Sequence, residues 1–399
     1  MKLSPRAEQI KPSATLAIDA KAKQMKAEGI DVLGFGAGEP DFPTPGHIVN
    51  AAVSALHDGD TRYTPVGGTA ELKGAICRSL ERDYGLRYTP GEVTASCGAK
   101  HTLFNLFLAL LDAGDEVIIP APFWVSYPEQ VQVAGATPVI VPTREEDGFR
   151  LRPETLEAAI TPRTRALILN SPSNPTGAMY GRLHLEALAE VLRGTDLLVV
   201  SDDIYQKLVY EGGRFVGILE VAPELRDRVV IVNGVSKTYA MTGWRIGYAA
   251  GPAALIGAME KLQSQSTSNP TSFAQKAAAV ALTGPQECVA EMVAEFARRR
   301  DFLVEGLNAL PGIRCPLPQG AFYAFPNVSG LYGSRFQGEE LRDSFDLARF
   351  LLDEARVAVV PGAPFGSDHH VRLSYATSRE VIAEGLARFE AALARLTRP

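Results

Sequence analysis

Short apolar runs alternate with longer amphipathic stretches along most of this chain. The runs EVIIPAP, TPVIVP, RALILN, DLLVVSDD and RVVIVNG follow one another between residues 116 and 234, and a strand-like EVTASCGA precedes them. Runs of this length that are apolar throughout are typical of strands buried on both faces. Because helical spacing of apolar residues separates several of them, the pattern predicts a largely parallel α/β sheet.

Helical periodicity continues beyond the last of these runs. It predicts helices at residues 15–29, 47–56, 69–83, 100–111, 252–263, 273–282, 285–310, 346–354 and 379–396. The helix at 285–310 is long enough to bridge into a second domain, and the segments after it mix strands and helices as an α+β layer does.

Length and charge narrow the classes of function. A chain of 399 residues with 46% hydrophobic and 22% charged residues is globular and has room for two domains. A net charge of −6 argues against nucleic acid and anionic membranes as partners, so small molecules are expected. We find no signal peptide, no membrane-length apolar run, and neither cysteine nor histidine spacing typical of metal ligands. These features predict a cytoplasmic protein with reduced thiols and no metal site.

The segment VVIVNGVSKTYAMTGWRIG, residues 229–247, holds the first candidate for chemistry. Its apolar run ends in Asn233-Gly234, which predicts a turn, and is followed by Lys237 and, eight residues later, Arg245. Lysine is rarely buried without a task or a partner. This segment alone leaves two readings open, a nucleophilic amine and a surface lysine after an edge strand.

Polar and aromatic residues also follow the other strands of the predicted sheet. Trp124 follows EVIIP, Asn174 follows ALIL in NSPSNPTG, and Asp202 and Tyr205 follow LLVV. Each residue alone has a structural explanation: Trp124 could pack in the core, Asn174 could belong to a turn, and Asp202 could cap a helix N-terminus. Because the carboxyl ends of parallel strands meet at one edge of a sheet, we expect them to converge with Lys237 on a binding site.

A phosphate site is predicted beside them. Small residues at Gly98 and Ala99 precede a helix that begins at Lys100, so backbone N–H groups and the helix dipole can face an anion, and Arg245 adds a bidentate cation. The alternative, GxGxG at residues 34–38, lacks the dinucleotide spacing and runs into prolines. An aldehyde cofactor that carries a phosphate and a ring nitrogen would use all these groups.

These motifs resemble those of a known family. SPSNPTG, SDDIY and SK-(x)7-RIGY are together similar to fold type I pyridoxal-phosphate enzymes, and within them to class I aminotransferases related to bacterial aspartate aminotransferase. The resemblance runs from KPSAT at Lys11 to HVRLSYATS. It implies pyridoxal 5'-phosphate as cofactor, a large domain at 46–290 with a mostly parallel seven-stranded sheet, a smaller α+β domain from 1–45 and 291–399, and a homodimer with shared active sites.

The resemblance also implies residue roles. Lys237 would be the catalytic Schiff-base lysine and proton carrier, Asp202 would pair with the pyridine nitrogen, and Trp124 would stack on the ring. Tyr205 and Asn174 would contact the ring oxygen. The phosphate would be surrounded by Gly98, Ala99, Lys100, Ser236 and Arg245, and reached from the neighbouring subunit by Tyr63. Asp203 stands where relatives often carry Glu, a change that does not touch these roles.

For the substrate, the family implies that Arg372 grips the α-carboxylate with help from Gly38, Trp124 and Asn174. No arginine at 264–271 suits the distal carboxylate, so the chain is closer to a thermophile-type branch in which a lysine resembling Lys100 takes that part. A lysine matching Lys11 accompanies prephenate use in some members. Without the family, the favoured interpretation of Arg372 is a surface salt bridge, and that of Tyr63 is an ordinary tyrosine in a turn.

The expected reaction is ping-pong transfer of an amino group from L-aspartate to 2-oxoglutarate, giving oxaloacetate and L-glutamate, with prephenate as a further acceptor. Two readings keep the cofactor: an aminotransferase for aromatic or neutral amino acids, and a β-lyase. A DNA-binding regulator on the same fold is disfavoured because the match begins near Lys11 and the chain is acidic. A Rossmann oxidoreductase lacks its fingerprint.

Overall fold

A seven-stranded sheet organises the computed structural model, which describes residues 1–4, 7, 8, 10 and 14–397. In chain order its strands and those of three smaller sheets are β1 (Leu33–Gly34), β2 (Val93–Ser96), β3 (Glu116–Ala121), β4 (Thr137–Pro142), β5 (Thr164–Asn170), β6 (Leu198–Asp202), β7 (Val229–Gly234), β8 (Gly247–Ala250), β9 (Tyr323–Ala324), β10 (Arg335–Phe336), β11 (Glu339–Glu340), β12 (Val357–Ala358), β13 (Val360–Pro361) and β14 (Val371–Ser374).

Helices cover both faces of this sheet. The α-helices of the described residues are α1 (Ala14–Ala27), α2 (Gly46–His57), α3 (Ala70–Tyr84), α4 (Ala99–Leu110), α5 (Ser126–Val133), α6 (Pro153–Ala159), α7 (Arg182–Arg193), α8 (Ile218–Val221), α9 (Ala253–Ser264), α10 (Ser272–Thr283), α11 (Glu287–Ala309), α12 (Ser344–Phe350) and α13 (Arg379–Leu393). Most lie within three residues of the predicted spans. The helix expected at 346–354 instead starts at Ser344 and closes with a π-helical turn, Leu351–Ala355.

The strand order is β2-β8-β7-β6-β5-β3-β4, and the pairs among β7, β6, β5, β3 and β4 are all parallel. Along β7, Val229 and Ile231 face one apolar core while Val230 and Val232 face the other, and all four are at most 1% exposed. Burial on both faces is why these runs lack polar alternation. The predicted mostly parallel seven-stranded α/β sheet is confirmed.

Strand β8 was missed by the sequence pattern, and it corrects one prediction. Its sequence, GYAA, has no β-branched run, yet it pairs antiparallel with both β7 and β2. Asn233-Gly234, expected to be a turn, lies in β7 and pairs with Tyr248 and Gly247. A Cβ at Gly234 would lie 3.1 Å from the Gly247 Cα, so glycine serves close strand packing here rather than a turn.

The N-terminal segment joins the C-terminal part of the chain. Strand β1 pairs in parallel with β12, while β13, β14 and β9 form an antiparallel sheet packed near the long helix α11. This arrangement places the loop after β1, which carries Gly38, against β14, which carries Arg372. The predicted domain boundaries stay a prediction. Within the described residues, none of the helices combines the length and apolar character that a membrane crossing requires.

Candidate active site

A cavity of about 370 Å³ opens at the carboxyl ends of the parallel strands. The predicted residues that line it are Gly38, Ala99, Lys100, Trp124, Asn174, Asp202, Tyr205, Ser236, Lys237, Arg245 and Arg372. Gly98 lies directly beneath Arg245. Tyr63 lies elsewhere, with 91% of its surface exposed, and Lys11 is outside the described residues. Residues from separate strands and loops therefore meet in one space, as the strand-end argument predicted.

Lys237 follows β7 and points its amine at the N-terminal loop, where it donates a hydrogen bond to the Gly38 carbonyl. Desolvation lowers the pKa of Lys237 to about 8; the charges of Arg372, Arg245 and Lys100 act in the same direction, and Glu39 opposes them. With such a pKa, about a tenth of the amine is neutral at pH 7, far more than for a lysine in water. Lys237 is therefore an amine poised to act as a nucleophile and a base.

Asp202 ends β6 and is only 3% exposed. Its Oδ2 accepts a hydrogen bond of 2.6 Å from the Tyr127 hydroxyl, and its Oδ1 accepts one of 3.4 Å from the Ile204 N–H. Burial raises the pKa of Asp202 to about 6, although both donors oppose the rise. A cation placed against this carboxylate would favour its charged form. Asp202 is thus a buried anion with room for a positive partner in the cavity.

The corner where β2 meets α4 can hold an anion. Gly98 has φ +89, and a Cβ there would overlap the Arg245 guanidinium, so this position requires glycine. Arg245 itself has φ +58, an uncommon value for a residue with a side chain. Its guanidinium is fixed by bonds to the carbonyls of Thr242 (2.8 Å) and Cys97 (3.2 Å). A rigid cation faces the N-terminus of α4, the arrangement that phosphate groups favour.

Aromatic side chains form the walls between these charges. Trp124 and Tyr127 meet edge to face with ring centroids 5.3 Å apart, and the Lys100 ammonium lies 5.0 Å from the Trp124 centroid. The hydroxyls of Tyr205 and Tyr323 are 2.9 Å apart. Burial raises the pKa of Tyr205 well above its usual value, so its hydroxyl stays a hydrogen-bond donor. A flat ring would find both stacking surface and polar edges here.

Arg372 lies on β14, outside the seven-stranded sheet, and lines the same cavity. It is 2% exposed and donates hydrogen bonds to Asn174 Oδ1 (3.0 Å) and the Gly36 carbonyl (2.6 Å). Its guanidinium carbon lies 4.6 Å from the Tyr323 ring centroid and 5.2 Å from that of Phe365. A surface ion pair, the alternative that the sequence left open, is therefore wrong. Arg372 is a buried cation held for a planar anion such as a carboxylate.

Several lining residues escaped the sequence-based prediction. Tyr127 has a usable signal, because it lies only three residues after Trp124, in the first turn of α5, and the two rings meet. Lys23 lines the cavity from α1, beside the buried Ala22 and Met25 that fix the rotation of that helix. Tyr323 has no such signal, since only the folded sheet brings β9 to the site. Among the described residues no group of three or more His, Cys, Asp or Glu side chains could hold a metal ion.

Comparisons with known proteins agree with this geometry. A family model described as aminotransferase class I and II matches residues 30–389. The chain is 53% identical to an aspartate aminotransferase of Geobacillus stearothermophilus, covering 97% of this chain and 98% of that one. It is 51% identical to an aspartate/prephenate aminotransferase of Nitrosomonas europaea, covering 98% of this chain and 100% of that one.

Solved structures give the same picture. The aspartate aminotransferase of Rhizobium meliloti superposes with a TM-score of 0.97 at 48% identity over all of both chains. That of Thermus thermophilus with maleate superposes with a TM-score of 0.92 at 46% identity, covering 98% of this chain and 100% of that one. With a buried amine, carboxylate and guanidinium around one cavity and these likenesses along nearly its whole length, the chain belongs to the class I and II aminotransferases.

Proposed function

We propose that this aminotransferase uses pyridoxal 5'-phosphate to transfer the amino group of L-aspartate to 2-oxoglutarate, giving oxaloacetate and L-glutamate in a ping-pong reaction. The observation that carries the proposal is the convergence of Lys237, Asp202 and Arg372 on one cavity. These three side chains supply an amine nucleophile, an anion for a ring nitrogen and a cation for a carboxylate.

The residues present fit the cofactor that the family implies. The guanidinium of Arg245 over Gly98 suits the phosphate, and Ala99, Lys100 and Ser236 complete that corner. Asp202 suits a protonated ring nitrogen because its carboxylate is buried and, among the described residues, forms no ion pair. Trp124 offers a ring face, and Asn174 and Tyr205 offer donors for a ring oxygen.

When bound, the cofactor supplies a conjugated ring that takes up the electrons released as the α C–H bond of the amino acid breaks. The chain's own residues do the rest. Arg372 holds the α-carboxylate and so fixes the orientation of the amino acid. Lys237 Nζ accepts the α-proton, because its lowered pKa leaves a neutral fraction near pH 7. Asp202 holds its negative charge against the ring nitrogen throughout.

Charge in the cavity favours a dicarboxylate substrate. Five cationic side chains line it against two anionic ones: Lys23, Lys100, Lys237, Arg245 and Arg372 against Glu39 and Asp202. With the ring nitrogen protonated against Asp202, the excess of three positive charges becomes four. A dianionic phosphate and two carboxylates would then balance the charge, whereas a phosphate and one carboxylate would leave one positive charge. We assign the distal carboxylate to Lys100, whose ammonium lies over Trp124 at the cavity wall. Relatives named for aspartate support the same choice.

Prephenate is a second candidate acceptor. The observation that favours it is the naming of two relatives, from Nitrosomonas europaea and Cereibacter sphaeroides, as aspartate/prephenate aminotransferases. Lys11, to which the family resemblance gives a part in prephenate use, is outside the described residues.

We further propose a homodimer in the cytoplasm, with a large domain at 46–290 and a small domain from 1–45 and 291–399. Tyr63 supports the dimer, because a tyrosine with 91% exposure is suited to reach a phosphate site on a second copy. The four cysteines carry free thiols, a state that a reducing compartment preserves.

Half-reactions of the cofactor-loaded enzyme test the assignment. L-Aspartate, L-glutamate, L-alanine, L-phenylalanine and cystathionine are mixed singly with the enzyme while the visible absorbance of the bound cofactor is followed, and 2-oxoglutarate and prephenate are then offered as acceptors. We expect aspartate and glutamate to convert the cofactor at the lowest concentrations. Faster conversion by alanine or phenylalanine, or ammonia release from cystathionine, would replace the proposal by the corresponding alternative.

The matched variants are Lys237→Ala and Lys261→Ala, the second being an exposed lysine on α9. Lys237→Ala should lose both the absorbance of the lysine-bound cofactor and turnover, while Lys261→Ala retains both. Full turnover by Lys237→Ala would contradict the role given to this amine.

A further inference from the structure

The carboxylate of Glu145, in the loop that follows β4, forms polar contacts with three C-terminal segments. Its Oε1 lies 3.0 Å from the Arg314 guanidinium. Its Oε2 accepts a hydrogen bond of 2.9 Å from the Asn327 amide and lies 3.3 Å from His370 Nε2. The Glu145 side chain is only 14% exposed. Three donors from separate parts of the C-terminal region thus converge on one largely buried carboxylate, which lies between β4 and α6 in the chain.

His370 has a partner at each ring nitrogen and an aromatic ring stacked on its face. Ser367 Oγ is 2.8 Å from its Nδ1, and its ring stacks on Phe325 with centroids 4.7 Å apart and planes 4° apart. Burial lowers the pKa of His370 well below its usual value, against the pull of Glu145, so the ring is neutral near pH 7. Because a carboxylate only accepts, Nε2 carries the proton and Nδ1 accepts from Ser367. Glu145 thus sets the tautomer of His370, and together with Ser367 and Phe325 it fixes the position of the ring.

The position of the His370 ring bears on Arg372 because the two residues are close in the chain. His370 and Arg372 are two residues apart at and just before β14, so their side chains lie on the same face of that strand. Packing gives a second connection. Phe149, four residues after Glu145, contacts the rings of Phe325 and His370, and Phe325 contacts Phe365, whose ring lies 5.2 Å from the Arg372 guanidinium carbon. Glu145 is therefore linked to Arg372 in two ways: by its contact with His370 and the backbone that continues into β14, and by the aromatic contacts that begin at Phe149.

We propose that Glu145 is a positioning residue for Arg372: by fixing His370 and the segment entering β14, it holds the guanidinium where the substrate α-carboxylate binds. The inference rests on the proposed function, which gives Arg372 that carboxylate. Arg372 is buried among rings and carbonyls and has little freedom to re-form its contacts if the strand shifts. A small displacement of a bidentate cation weakens carboxylate binding strongly.

The test uses the full-length, cofactor-loaded enzyme and the variants Glu145→Ala and Glu145→Gln. Glutamine offers one acceptor oxygen where the carboxylate uses two, so it should retain part of the effect. The neighbouring Glu146→Gln is the matched control, because Glu146 is 68% exposed and its ion-pair partner in the described part of the chain is the exposed Arg144. Binding of the dicarboxylate maleate is measured by titration of the cofactor absorbance, alongside KM and kcat for aspartate.

We expect Glu145→Ala to weaken maleate and raise the KM for aspartate about tenfold, with kcat changed by less than about twofold. Glu145→Gln should lie between this variant and the wild type, and Glu146→Gln should match the wild type. Cofactor content should not change, since Arg314, Asn327 and His370, which Glu145 contacts among the described residues, are not proposed cofactor ligands. A lower Tm with unchanged maleate affinity would overturn the inference, because it would mean that Glu145 only stabilises the fold.

Arg314→Gln covers the case in which Glu145→Ala fails to fold. The Arg314 side chain is 73% exposed and contributes one of the three donors to Glu145. We therefore expect Arg314→Gln to fold and to weaken maleate binding by a smaller factor than Glu145→Ala does. The two proposals fail differently. If wild-type enzyme binds no dicarboxylate and does not use aspartate, the proposed function fails; if wild type does both and the Glu145 variants do the same, only the positioning role fails.

Discussion

Replacing Tyr127 by phenylalanine should change the charge state of Asp202. The substitution removes one hydroxyl and keeps the ring that meets Trp124 edge to face at 5.3 Å. That hydroxyl donates the 2.6 Å hydrogen bond to Asp202 Oδ2, and the Ile204 N–H at 3.4 Å is a weaker donor. Tyr127 remains a donor at all relevant pH values, since burial raises its pKa well above the usual one. The variant therefore removes the principal stabiliser of the charged carboxylate.

The size of the effect follows from the charge on the acceptor. A hydrogen bond to an ionised group contributes about 1.5–3 kcal/mol, and one pKa unit corresponds to about 1.4 kcal/mol. Loss of the Tyr127 hydroxyl should then raise the pKa of Asp202 by about one to two units. Because burial already raises that pKa from 3.8 to about 6, much of Asp202 would be protonated at pH 7 in the cofactor-free variant.

The sign of the stability change can be measured directly. Asp202 has a higher pKa when folded than when unfolded, so its ionisation destabilises the cofactor-free protein as pH rises from about 4 to about 6. In Tyr127→Phe the stability of the cofactor-free protein should go on falling until about pH 7–8, because the pKa of Asp202 is higher there. Thermal unfolding of cofactor-free wild type and variant should differ little at pH 5 and most at pH 8. Equilibrium dialysis at pH 7 should show about tenfold weaker cofactor binding.

Tyr180→Phe separates this effect from the loss of any buried hydroxyl. Tyr180 is 6% exposed and its hydroxyl accepts from the Leu151 N–H at 3.0 Å, with no carboxylate involved. The loss of thermal stability in Tyr180→Phe should therefore be the same at pH 5 and pH 8. If Tyr127→Phe showed the same pH-independent cost and normal cofactor affinity, the reasoning about Asp202 would be refuted.

Two further predictions concern the phosphate corner and the distal carboxylate. Gly98→Ala should weaken cofactor binding about tenfold or more, because residue 98 has φ +89 and the new Cβ would overlap the Arg245 guanidinium. Gly91→Ala is the control and should bind the cofactor normally, since the nearest described atom lies 4.0 Å from the new Cβ. Equal cofactor affinities of the two variants in equilibrium dialysis would contradict this prediction. Lys100→Gln should raise the KM for aspartate about tenfold and leave that for alanine within about twofold, and a parallel rise for both amino acids in steady-state assays would remove Lys100 from distal-carboxylate binding.

The sheet was predictable because its strands are buried on both faces. Val229 to Val232 must be apolar throughout, and such a run is visible in one dimension. Strand β8 was not predictable, since GYAA forms a strand only where β7 and β2 present unpaired edges to it. The role of Gly234 was misread for the same reason: close packing on Gly247 is a tertiary property.

The site divides in the same way. Lys237, Asp202, Asn174 and Trp124 follow strands directly, so their convergence follows from the sheet topology. Arg372 did not follow from spacing and needed the family resemblance. Glu145 gave no sequence signal at all, since an acidic residue in a charged loop is ordinarily solvated and only the folded chain brings its three donors together.

The ionisable groups of the cavity are arranged for ligands rather than for stability. Desolvation and mutual repulsion lower the pKa of Lys237 and Lys100, while desolvation raises that of Asp202, so each of these charges is disfavoured by folding. A bound phosphate and carboxylate would offset the repulsion among the cations, and a ring cation would offset the burial of Asp202. Each ligand should therefore stabilise the fold according to its affinity for the folded state. The same strain that weakens the cofactor-free protein keeps the amine of Lys237 partly neutral at working pH, which is the property that the proposed reaction requires.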